Sequence, residues 1–187
     1  MIRRTSFAFA ASAALAVGLS TPSVAHADDT TCRGTIGAVS VDNVQVPSGA
    51  TCTLQGTRVQ GNVLVGSNAR LNAQQIDVEG NIEGEDARQI VVSQSFVDGD
   101  IQGKDGLTVN VQRTAIGGNL QVEDNDGKVV AANNAIDGDL QAFNNDGGTQ
   151  ISRNRIEGNL QCRSNDPAPV GGGNTVGGNK EDQCSRL

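Results

Sequence analysis

The segment Ile116-Gly117-Gly118-Asn119-Leu120-Gln121-Val122 returns twenty residues later as Ile136-Asp137-Gly138-Asp139-Leu140-Gln141-Ala142, and again as Ile156-Glu157-Gly158-Asn159-Leu160-Gln161-Cys162. Extending the frame both ways places repeat glycines at Gly61, Gly80, Gly99, Gly118, Gly138, Gly158 and Gly178, spaced by 19 and then by 20 residues. A β-branched residue stands two positions before each glycine (Val59, Val78, Val97, Ile116, Ile136, Ile156, Val176), and Asn or Asp follows it. A fixed period of this length marks a solenoid, and β-branching marks strands. The period speaks to architecture rather than activity, because solenoids are scaffolds for unrelated functions.

Numbered from its glycine, each coil reads as three strands with period-2 alternation. The first strand points inward at Val63 and Val65, Ile82 and Gly84, Ile101 and Gly103, Leu120 and Val122, Leu140 and Ala142, Leu160 and Cys162. The second points inward at Cys52 and Leu54, Leu71 and Ala73, Ile90 and Val92, Val109 and Val111, Val129 and Ala131, Thr149 and Ile151. The third contributes the β-branched residue. Between these positions stand mostly Gln, Arg, Glu, Asp and Ser, expected to face water. The frame runs back to Val44 and Val46, giving seven coils over residues 42–177, with caps over 28–41 and 178–187. The expected fold class is therefore all-β, a single-domain parallel β-helix.

Two features concern the corners. A positive φ is the simplest reason for the repeat glycine, at the turn from a third strand into the next coil. Four residues before the glycine, Asn134, Asn154 and Asn174 follow Thr57, Ser95 and Thr114 of earlier coils. Stacked asparagines hydrogen-bond along a rod, so this column is expected to be structural. Three-strand coils with glycine and asparagine corners resemble the right-handed parallel β-helix proteins, including the pectate-lyase-like folds, and the Val-x-Gly-Asn/Asp-Ile/Leu cadence resembles the bactofilin repeat. The first resemblance implies polysaccharide chemistry and the second implies polymerisation. Neither motif carries a catalytic residue. Right-handedness also follows the general preference of parallel crossovers, with a left-handed hexapeptide helix as the alternative.

The ends and the composition narrow the function classes. Met1-Ile2-Arg3-Arg4 is basic, residues 6–19 are small and apolar, and Ala25-His26-Ala27 is a small-x-small cleavage site, so residues 1–27 read as a secretory signal peptide. The run is too short to span a membrane. Cleavage leaves twelve basic and twenty-one acidic residues, a net charge of −9, which argues against nucleic acid as a partner. It also leaves no His, Trp, Tyr or Met, and Phe96 and Phe143 as the two aromatics. A histidine base, a Ser/His/Asp or Cys/His nucleophile system and a histidine metal site are thereby excluded. Cys32 and Cys52 are 20 residues apart, and Cys162 and Cys184 are 22 apart. Residues one coil apart stack about 4.8 Å from each other, which suits a disulfide, so each end is expected to carry one staple.

Two outward constellations are candidate sites. Asp126, Asp146 and Asp166 form an acidic column in the late coils, a weak calcium site candidate. Splayed carboxylates on Asn-Asp-Gly turns are the simpler reading. Asp137 and Glu157 near Arg153 and Arg155 have the elements of a lyase site, though salt bridges explain them more simply. No catalytic residue and no cofactor other than that calcium is expected. The expected function is a secreted, non-enzymatic structural or binding module of the cell envelope or extracellular medium, its partners envelope polymers or another protein. The alternatives are a pectate-lyase-like polysaccharide-active enzyme and an extracellular end-to-end polymer former.

Overall fold

The computed structural model describes residues 29–187. The signal peptide expected over 1–27 lies outside them. No α-helix occurs among the described residues, and none of their segments is a helix long and apolar enough to cross a membrane. The first coil comprises β1 (Asp29–Thr31), β2 (Thr35–Ile36) and β3 (Ser40–Val41). The second comprises β4 (Asn43–Val46), β5 (Thr51–Gln55) and β6 (Arg58–Val59). β1 pairs in parallel with β4, β2 with β5 and β3 with β6.

Every later coil repeats this stacking. Among the described residues the result is three parallel sheets of nine, eight and eight strands, about eight turns in all. At about 4.8 Å per coil the rod is roughly 38 Å long. The residues expected to form the N-terminal cap are thus themselves a short coil. Their spacing is tighter than 19 residues, which is why the glycine frame does not reach them.

Register follows the sequence alternation. Leu120 stacks on Leu140 and Leu140 on Leu160 in the first sheet, and Ile116, Ile136 and Ile156 stack in the third. All the inward positions named above are buried except Val176 in the last coil, which is half-buried. Where the first strand turns Gly84 and Gly103 inward, a Cβ would meet Ile90 Cδ1 or Val109 Cγ2 at 2.6 Å. Large side chains of the second sheet therefore fill the space left by glycines of the first, which keeps a narrow core dense. Thr149 sits in the same inward column as Val129, and its buried Oγ1 has no hydrogen-bond partner.

The C-terminal end is closed. Lys180–Asp182 pairs with Leu160–Arg163, and the chain then turns back so that Cys184 and Leu187 are buried. Lys180 Nζ donates to the carbonyls of Asn174 and Leu187. Both cysteine pairs are joined, Cys32 to Cys52 with a Cα separation of 5.4 Å and Cys162 to Cys184 with 5.2 Å.

Candidate functional site

The repeat glycines are not at positive φ, so that expectation is corrected. Their role is close approach. The side chain of the following Asn or Asp turns along the rod, and its Oδ1 accepts the backbone N–H of its counterpart one coil later. This joins Asn43, Asn62, Asn81, Asp100, Asn119, Asp139, Asn159 and Asn179 through seven bonds of 2.6–2.9 Å. Each Oδ1 lies where a Cβ on the next coil's repeat glycine would sit, under 3.0 Å away. Glycine and asparagine are adjacent in sequence but act on each other between coils.

Positive φ occurs elsewhere, in two columns. One holds Gln75, Gln94, Arg113, Asn133 and Arg153 at φ of 50–58°, and the other holds Asp86, Asp105, Asp124, Asn144 and Ser164 at 53–57°. These are the corners on either side of the second sheet. Most residues there are polar, and several are the Asn and Asp that tolerate this region best.

Two buried ladders stand beside these corners. In one, Asn134 Oδ1 accepts Thr114 N–H, Asn154 accepts Asn134 N–H and Asn174 accepts Asn154 N–H, at 2.9–3.0 Å. Their Nδ2 groups donate to the carbonyls of Val111, Ala131 and Ile151. This is the column expected to be structural. The other was not singled out from sequence: Asn125, Asn145 and Asn165 lie one residue before the acidic column and are buried to 4% exposure or less. Asn145 Oδ1 accepts both the backbone and the side-chain N–H of Asn125, Asn165 does the same for Asn145, and Gln183 Oε1 closes the series. The thrice-repeated Asn-Asp pair was the available signal, masked because both residues favour turns.

Outside, Gln121 donates to Gln141, Gln141 to Gln161 and Gln161 to Glu181 at 2.8–3.1 Å. Gln121 is therefore half-buried in an amide row, rather than simply facing water.

The structure places Asp126, Asp146 and Asp166 in successive coils with exposed side chains. Their backbone N–H groups bond to Gly106, Asn125 and Asn145 carbonyls. Among the described residues no group of three His, Cys, Asp or Glu side chains is placed to hold a metal ion. At the other constellation Glu157 pairs with Arg155, two residues before it, and Arg153 Nε donates to Asn133 Oδ1 at 3.1 Å. Arg58 reaches Glu79 at 2.6 Å and Asp77 at 3.4 Å, and Lys104 reaches Glu123 at 3.2 Å. The hydrogen bond that Arg58 donates to Glu79, then the charge of Asp77, raises Arg58 above the ordinary guanidinium range. Arg163 lies over the Phe143 ring at 5.1 Å.

No protein family, no curated protein and no solved structure matches the chain.

Proposed function

We propose that the protein is a secreted, non-enzymatic β-solenoid of the cell envelope or extracellular medium, acting as a rigid structural or binding module. The observation that carries this reading is the commitment of the columnar polar side chains to bonds within the rod. The corner Asn/Asp column, both buried Asn columns and the outer Gln row bond from coil to coil. At the Asp137 and Glu157 constellation, Arg155 is engaged by Glu157, which leaves Arg153 as the one basic residue there outside an ion pair on which the lyase reading can draw. Two joined cysteine pairs fit an oxidising extracellular compartment. The closed C-terminal end, with Leu187 buried, weighs against end-to-end polymerisation through that end.

The test incubates the purified protein with polyuronates, with and without calcium, and follows unsaturated products and new reducing ends. Co-sedimentation with isolated envelope polymers runs in parallel. No turnover together with polymer retention is the expected result. Turnover that an Arg153→Ala variant loses would overturn the reading in favour of an enzyme.

A further inference from the structure

The second sheet differs from the other two in charge. Its strands over 51–55, 70–74, 89–93, 108–112, 129–132, 149–152 and 170–172 contain no Asp or Glu, in a chain that has twenty-one. The first sheet carries Asp29, Glu83, Glu85, Glu123, Glu181 and Asp182, and the third carries Asp77. Basic residues stand within or beside the second sheet's strands: Arg70, Arg88, Arg113, Lys128 and Arg153. Among the described residues none of these five makes an ion pair, whereas Arg58, Lys104 and Arg155 on the other faces do. An acidic protein thus keeps five cations unneutralised along one side.

That side is also concave. A groove of about 390 Å³ lies between Lys128 and Arg153, floored by Asn110, Val130 and Gln150. A second of about 180 Å³ lies further along the same sheet, over Asn72, Gln74, Val91 and Ser93. Amides and hydroxyls on the floors supply donors and acceptors for sugar hydroxyls, and the Arg153 guanidinium and Lys128 ammonium at the rim of the larger groove suit carboxylate or phosphate. One of the five cations falls in each of five successive coils, about 4.8 Å apart, which suits a ligand that is itself extended.

We infer that the outer face of the second sheet binds an extended anionic glycan, carboxylate- or phosphate-bearing, with Lys128 and Arg153 gripping it across the larger groove. The inference rests on the reading of the chain as a non-enzymatic binding module and names the ligand of that module. The acidic corner at Asp86, Asp105 and Asp124, together with the exposed Asp126, Asp146 and Asp166, flanks the edge of this face on which Lys128 stands and opposes an anion there, so Lys128 holds the ligand against that field. Arg113 and Arg153 stand at the opposite edge, across a strand of about 17 Å. Screening over about 8 Å at physiological salt separates that edge from the corner. A second copy offering its acidic corner to this face is the competing occupant.

The experiment measures binding of the purified protein to polygalacturonate, poly(glycerol phosphate), dextran and a single-stranded oligonucleotide, by calorimetry at two salt concentrations. Lys128→Glu/Arg153→Glu is compared with Lys104→Glu, which changes charge on the first sheet, and melting curves verify that each variant is folded. The expected result is salt-sensitive binding to one or both anionic glycans and none to dextran. It should weaken roughly tenfold or more in the double variant, as expected for the loss of one or two charge-assisted contacts, and hold in Lys104→Glu. The glycan retained identifies the anion. Equal loss in Lys104→Glu, equally tight oligonucleotide binding, or salt-sensitive self-association in place of glycan binding would overturn the inference. Retention of an envelope polymer unchanged in the double variant would overturn the face while leaving the module reading intact. Cleavage of the glycan would overturn the module reading itself.

Discussion

At the scale of single residues, the repeat glycines serve the neighbouring coil. A Cβ on Gly118 would collide with Asp100 Oδ1 and come within 3.0 Å of the Gly99 carbonyl. Gly118→Ala should therefore destabilise by about 1–3 kcal/mol, the range of overpacking. Gln121→Ala, which removes one half-exposed amide bond, should cost about 1 kcal/mol or less. Urea denaturation of both variants checks the ranking, and equal midpoints would refute the close-approach account. Combining Gly118→Ala with Asp100→Gly should be less harmful than the sum of the two, because the carboxylate that blocks the methyl is gone. Thr149 offers the opposite test. Its hydroxyl is buried without a partner in a column whose preceding members, Cys52, Leu71, Ile90, Val109 and Val129, are all apolar, so Thr149→Val should stabilise by about 1 kcal/mol and raise the melting temperature.

At the scale of the element, a ladder residue and its neighbour behave differently although they are adjacent in sequence. Asn145 is fully buried and bonds to Asn125, Asn165 and the Val122 carbonyl. Asn145→Ala strands the Asn125 N–H and the Val122 carbonyl, and should cost about 2–4 kcal/mol for two unsatisfied groups. Asp146→Asn touches an exposed carboxylate between two others one coil away. Carboxylates about 4.8 Å apart repel by about 0.9 kcal/mol in bulk water, so the substitution should slightly stabilise, most visibly at low salt. Calcium bound to Asp126, Asp146 and Asp166 would reverse that sign, since calcium would then raise the melting temperature of the wild type and not of Asp146→Asn. A single thermal series with and without calcium separates these outcomes.

At the scale of the whole molecule, stability is a sum of neighbour contacts, so the end coils are the places where it fails first. The disulfides sit at those ends, and each closes a loop of about 20 residues, worth about 3 kcal/mol in the chain-entropy model. Non-reducing peptide mapping should recover Cys32 with Cys52 and Cys162 with Cys184. After reduction, hydrogen exchange should accelerate first over residues 29–59 and 160–187, while residues 90–140 keep their protection. Loss of protection across all coils at once would mean that the rod unfolds as one unit and that the staples do more than hold the ends.

The parallel solenoid, its inward residues and its cysteine pairing were legible in the sequence. Each follows from a period, and stacking converts a period into contact between residues one coil apart. Val59, Val78 and Val97 had to stack once the spacing of 19 residues was granted. Local chemistry could not show which way a side chain points at a corner. Glycine looked like a φ requirement because the clash that excludes a Cβ comes from another coil, and the positive φ fell instead on Gln75, Gln94 and Arg113. Asn125, Asn145 and Asn165 looked like turn residues because burial is a property of the closed rod. Charge counts gave the chain's net −7, but only three sheets facing in different directions could sort that charge into acidic corners and one carboxylate-free face.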